Sequence, residues 1–171
     1  NHVKPFGLTS APYAGGMATR DPEATRRRVV DAARQVFAEQ GLSGARVDAI
    51  AASAQTSKER LYAFFRTKDE LFRLVLGESV QEWLNAVPFT VDDLPGYAAN
   101  LFDHLCFHDV DARLILWGQL ENRSTSALLA EGEELLSSRR AEVERAQAGG
   151  VVNAAWDPAD LFTMIYGVVM S

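Results

Sequence analysis

Apolar residues recur along this chain at helical spacing, and no stretch alternates with period two between hairpin turns. Asp21 is placed to cap a first helix with Pro22 in its first turn. Val29, Ala33, Val36 and Phe37 then fall at i, i+4, i+7 and i+8, and Gly41 supplies a stop. A short helix is predicted over Val47–Ser53, a tight turn at Ala54-Gln55-Thr56, and another short helix behind the cap Ser57. In that third helix Leu61, Phe64 and Phe65 face inward, leaving Lys58, Glu59, Arg60 and Tyr62 facing out. Two short helices joined by three residues make a helix-turn-helix.

Thr67 and Glu70 have capping-box spacing and open a long helix that ends before Pro88, with Leu71, Phe72, Val75, Leu76, Val80, Trp83 and Leu84 inward. Helical periods resume at about 94–107, 110–121 and 124–148, the last closing at Gly149-Gly150. Asp157-Pro158 starts a final helix in which Leu161, Phe162, Met164, Ile165, Val168 and Val169 leave almost no polar side. The predicted fold class is all-α. Such an apolar last helix needs cover, either from further chain beyond Ser171 or from a second subunit.

The composition, 47% hydrophobic and 23% charged over 171 residues, is that of a globular protein. The longest apolar runs, Leu114–Trp117 and Ile165–Met170, are far short of a bilayer span, so no membrane partner is expected. With the single Cys106 and no signal segment, a cytoplasmic location is expected. Charge is distributed unevenly. Residues 17–76 hold 11 Lys and Arg against 8 Asp and Glu, while residues 77–171 hold 5 against 15. One end thus suits a polyanion and the rest repels it.

Three blocks carry a resemblance: Val36-Phe37-Ala38-Glu39-Gln40-Gly41, Val47-Asp48-Ala49-Ile50-Ala51, and Ser57-Lys58-Glu59-Arg60-Leu61-Tyr62-Ala63-Phe64-Phe65-Arg66-Thr67-Lys68-Asp69-Glu70-Leu71. In order and spacing, residues 26–75 resemble the TetR family of transcriptional regulators. The resemblance implies a three-helix DNA-binding unit, a larger helical domain that binds a small-molecule effector, and a homodimer whose recognition helices enter successive major grooves of double-stranded operator DNA. The domains follow: a leader or flexible arm over 1–16, the helix-turn-helix domain over 17–66, and a helical ligand-binding and dimerisation domain over 67–171. By the same resemblance Tyr62 and Lys68 fall at phosphate-holding positions, and Lys58, Glu59 and Arg60 lie on the exposed start of the recognition helix. Three positions depart from the family pattern. Gln55 stands where glycine is usual at the turn, Arg46 replaces a Ser or Thr cap and adds a possible phosphate contact, and Glu59-Arg60 replaces Gly-Thr. The bases read therefore cannot be copied from relatives.

In the second half, Trp83, Phe102, Trp117, Phe162 and Tyr166, with Phe89, Phe107 and Met164, are expected to form an aromatic interior. The resemblance implies that part of it lines a cavity for a mostly apolar effector, with His104, His108, Glu121 and Asn122 as candidates for its polar groups. The acidic character of this half disfavours a strongly anionic ligand. His104-x-Cys106-x-His108 lacks a third ligand, so neither a metal nor another cofactor is expected. Arg26-Arg27-Arg28 opposes the dipole of the first helix and is a further candidate for phosphate. Glu131, Glu133, Glu134, Glu142 and Glu144 with Arg139, Arg140 and Arg145 read as a solvated face. No nucleophile elbow, dinucleotide fingerprint or phosphate loop requests catalysis. The competing class is a helical interaction protein that no longer binds specific DNA, hinted at by Gln55 and Glu59.

Overall fold

Local caps set the helix boundaries. In the computed structural model, which describes residues 21–121 and 133–170, the described residues form eight α-helices and no strand. Helix α1 spans Pro22–Gly44, α2 Val47–Ser53, α3 Lys58–Phe64 and α4 Lys68–Ala86. Then follow α5 at Leu94–Phe107, α6 at Asp109–Leu120, α7 at Glu133–Ala148 and α8 at Pro158–Val169. Asp21, Ser57, Thr67, Asp93 and Asp157 each accept a backbone N–H of the helix they precede. The leader 1–16, Asn122, residues 124–132 of the seventh predicted helix, Glu131 among them, and Ser171 lie outside the described residues.

The helix-turn-helix turn is two caps set back to back. Gln55 takes φ 53°, the Gln55 amide donates to the Ala52 carbonyl at 3.1 Å, and the Thr56 amide donates to the Ala51 carbonyl at 3.0 Å. This is a Schellman closure of α2 with glutamine at the left-handed position. Ser57 follows at once as the cap of α3. Arg28 reaches from α1 to donate to the Ala54 carbonyl at 3.2 Å, which fixes the turn to the first helix. Arg26 lies over the Phe65 ring and Arg27 pairs with Asp31, so all three arginines have partners within the fold. Below the turn, Phe37 and Phe72 meet edge to face at 5.1 Å in a core shared by α1 and α4.

Helix α6 packs more extensively on α1 than on any other element, and α4 lies against both. Two pins hold that seam. At one end the Trp117 ring lies against Gly41 so closely that an added Cβ would stand 2.7 Å from it, and its indole N–H donates to the Ala38 carbonyl at 3.2 Å. Gly41 has φ 67° and ψ −179°, a region open essentially to glycine alone, so it both breaks the helix and makes room for the ring. At the other end the largely buried Arg34 donates to both carboxylate oxygens of Glu82 at 2.5 and 3.0 Å, and to Asp111 at 3.2 Å. Glu78 lies 3.5 Å away. One guanidinium thus joins α1, α4 and α6, and its hydrogen bond holds the Glu82 carboxyl below the ordinary glutamate range.

The body closes around α4, α5, α7 and α8. Here the expectation of a solvated face on α7 fails at one residue. Arg139 is 6% exposed and shares the buried stripe of Leu136, Val143 and Ala146, because its spacing places it on the inward side of the helix.

The close approach at Gly41 has a measurable consequence. Gly41→Ala is expected to cost about 3 kcal/mol or more, from left-handed strain plus overpacking against Trp117. Gly150→Ala is the matched control. It also has positive φ, at 77°, but meets nothing within 4 Å, and should cost only about 1 kcal/mol in the same urea titration.

Candidate nucleic-acid interface and the interior of the body

Helix α3 presents the exposed side chains to which the charge pattern pointed. Lys58 and Glu59 are exposed, Tyr62 is 42% exposed, and Arg60 is half-buried. Leu61 is buried and anchors the helix to the core. Lys58 is paired to Asp48 on α2 at 3.1 Å, a surface ion pair that a polyanion can compete for at small cost. Glu59 sits in the first turn, where its own backbone amide, and then the Ser57 hydroxyl, hold its carboxyl below the usual range. That carboxylate occupies the positive end of the helix, so the end of α3 is unsuited to phosphate. A carboxylate here suits the amino group of cytosine.

Around α3, Arg46 is exposed at the start of α2 and makes no side-chain cap bond. Lys68, half-buried at the start of α4, donates to the Ala45 carbonyl at 2.9 Å. An ammonium has three donors, so this bond positions the charge and leaves capacity for an anion. The six residues singled out in the sequence therefore lie on α3 or on the starts of the helices flanking it, with Lys58 engaged by Asp48 and Lys68 by the Ala45 carbonyl.

Residues expected around an effector are dispersed. Trp83, Phe162 and Tyr166 meet in one buried cluster. Trp83 lies 5.5 Å from Tyr166, Phe162 stacks on Tyr166 at 5.8 Å, and Phe89 joins Phe162 at 5.4 Å. Phe102 is 53% exposed and lines a separate groove of about 340 Å³ with Cys106, Ile115, Leu116 and Met170. His104 and His108 stack on each other at 3.8 Å at the surface, where burial, followed by the neighbouring His108, holds His104 below the ordinary histidine value. Trp117 belongs to the α1–α6 seam, and Glu121 lies 3.5 Å from Ser43 at the same seam. Among the described residues no cluster of His, Cys, Asp or Glu could hold a metal ion, and no helix is long and apolar enough to cross a membrane.

Sequence reasoning missed Tyr97 and Arg139, which complete the buried cluster. The two phenols of Tyr97 and Tyr166 are 2.9 Å apart, and Arg139 donates to them at 2.5 and 3.1 Å and also to the Leu84 carbonyl. The signal was present in the spacing 136, 139, 143, 146, which puts Arg139 in register with apolar neighbours. A second groove, of about 290 Å³, runs between α5 and α8. Leu94, Ala98, Ile165, Met164 and Val168 line it, and Val168 is 69% exposed.

Comparisons with known proteins agree with this arrangement. Residues 29–75 match the family described as bacterial regulatory proteins, tetR family, and residues 93–171 match the tetracyclin repressor-like C-terminal domain. The HTH-type transcriptional repressor SCO4008 of Streptomyces coelicolor is 37% identical over 151 residues, covering 87% of this chain and 78% of that protein. The crystal structure of SCO4942 from Streptomyces coelicolor, described as a transcriptional regulator, is 40% identical. It superposes with a TM-score of 0.69 over 85% of this chain and 78% of its own. Salmonella enterica GusR shares the fold at 24% identity, with a TM-score of 0.66 over 90% of this chain and 85% of its own.

The charged start of α3 yields a direct test. Glu59→Gln is expected to raise affinity for random duplex, because it removes like-charge repulsion, while lowering discrimination at one base pair by about 1–3 kcal/mol. Fluorescence anisotropy on a set of duplexes with single substitutions reads both. Equal gains on every sequence would show that Glu59 faces phosphate alone.

Proposed function

The chain belongs to the TetR family of bacterial transcriptional regulators, and from that premise we propose that it is a ligand-responsive repressor. In this reading it binds a palindromic operator as a homodimer in the cytoplasm and is released by a small, mostly apolar effector. The observation that carries the reading is the exposed α3, which begins at Lys58, is flanked by Arg46 and Lys68, and is tied through α1 and α6 to a helical body. Phosphate contacts by Tyr62, Lys68 and Arg46 set position, while Arg60 and Glu59 read base edges. Two recognition helices related by a two-fold axis require half-sites about 10 bp apart or a multiple of that.

Homodimerisation is supported by the apolar groove and the exposed Met164 and Val168 on α8, a face that isolation in water disfavours. Effector release works through the seam. A ligand that favours a different placement of α6 must move α1 with it, and with α1 the spacing of the two α3 helices. Hundredfold release needs about 2.7 kcal/mol of differential affinity between the two spacings.

One observation favours a second reading, a helical interaction protein without specific DNA binding: Glu59 is acidic and Lys58 is engaged by Asp48. Salt dependence separates the two. The purified protein is expected to prefer its own upstream region over random duplex, with affinity falling steeply as salt rises. Tyr62→Phe and Lys68→Ala should weaken binding nearly equally on all sequences, whereas Arg60→Ala should relax discrimination by about 1–3 kcal/mol at one or two base pairs. A flat salt response with no preference for any duplex would establish the second reading instead.

A further inference from the structure

Arg139 is a buried cation beside which the described residues place no anion. Its guanidinium donates to the hydroxyls of Tyr97 and Tyr166 and to the Leu84 carbonyl, and it lies 5.5 Å from the centres of the Phe89 and Tyr97 rings. Among the described residues no carboxylate pairs with it, in contrast to Arg34, which meets three. Buried charges are ordinarily paired, since removing a cation from water costs several kcal/mol. The rings and the last turn of α4 offset part of that cost and leave the charge in place.

Donors and acceptors do not balance either. Burial holds both phenols neutral, so each keeps its proton. One proton serves the bond between the two hydroxyls, and the other has no acceptor among the described residues. The cluster therefore holds a guanidinium and one spare O–H, with only neutral oxygens in return. Two acceptor atoms and one negative charge would satisfy it, which is the inventory of a carboxylate. A phosphate dianion would need a second cation, and none of the described residues bonded to this cluster supplies one.

We propose that Arg139, Tyr97 and Tyr166 form the head-group subsite of the effector site, and that the effector is a carboxylic acid with an apolar, ring-containing body. This rests on the reading of the protein as ligand-responsive, and it specifies the ligand more narrowly than apolar character does. The body of the ligand takes its contacts from Phe89, Phe162 and Trp83, which already pack ring to ring beside the hydroxyls. A groove of about 360 Å³ lies along the α4–α7 seam, lined by Gln81, Asn85, Leu135 and Ser138 with Glu134 at its side. Asn85 and Ser138 are the chain neighbours of Leu84 and Arg139, so this groove adjoins the buried cluster, whose own side chains are closed over. The acidity of this half of the chain does not oppose the assignment, because those carboxylates belong mainly to the surface, whereas the interior charge is positive.

The test is calorimetric titration of the unmodified protein with matched pairs, each acid against its neutral amide: benzoate and benzamide, phenylacetate and phenylacetamide, 2-naphthylacetate and 2-naphthylacetamide. At least one acid is expected to bind tenfold or more tightly than its amide at neutral pH. That preference should fall below threefold in Arg139→Gln and be reduced in Tyr97→Phe and Tyr166→Phe, the milder variants that keep the rings. Amides binding as tightly as acids, no binding of either set at millimolar concentration, or an acid preference that survives Arg139→Gln would overturn the assignment. Operator binding is measured in parallel without any acid. Intact operator binding with no acid preference overturns the subsite alone, and an acid preference without operator binding overturns the repressor reading alone.

Discussion

The packing of α6 along α1 is the constraint on which the rest of the molecule depends. Trp117 needs a helix surface without a side chain, and Gly41 provides it while also taking a backbone conformation that other residues avoid. Arg34 fixes the other end by drawing Glu82 and Asp111 onto one guanidinium. Two attachments, one apolar and one ionic, stop α6 from sliding or turning on α1. Since Arg28 ties α1 to the Ala54 carbonyl, the orientation of the turn, and of α3 beyond it, follows from where α6 lies.

This explains the division of labour along the chain. The helix-turn-helix part is small, and two of its surface charges are held by bonds within it, Lys58 by Asp48 and Lys68 by the Ala45 carbonyl. The body carries the larger buried side chains, Trp83, Tyr97 and Tyr166 among them, and a polar cluster around Arg139 that is expensive to bury. A change in that cluster alters how α4, α5, α7 and α8 meet, and α4 also packs on α1 and α6. The path from the interior to α3 thus runs through packed helices rather than through a flexible link, as a two-state switch requires.

How much of this was legible in the sequence depended on distance along the chain. The caps Asp21, Ser57 and Thr67 act within three residues, and the order of helices followed from them. The left-handed Gln55 was legible only through the resemblance, which sets a glycine at that turn position. Trp117 was not. An aromatic residue at helical spacing reads as core and the resemblance turned that towards cavity lining, while its true partner Gly41 lies 76 residues away in sequence, beyond any periodic signal. Arg139 was obscured differently: the glutamates and arginines around it suggested a solvated surface, while its register with Leu136 and Val143 pointed inward. Charge composition and helical register disagreed there, and register decided, because a rigid helix cannot turn one residue outward on its own.

Native-state hydrogen exchange tests the seam most directly. If α1 and α6 form one unit, the protected amides of α1 and α6 should open with a common free energy, equal to that of global unfolding. Replacing Trp117 and Arg34 together should then lower the opening free energy of α1 below that of α4. If instead α1 in the unmodified protein opens well below α6, with no change on removing both side chains, the two parts are only loosely joined and the seam does not govern α3.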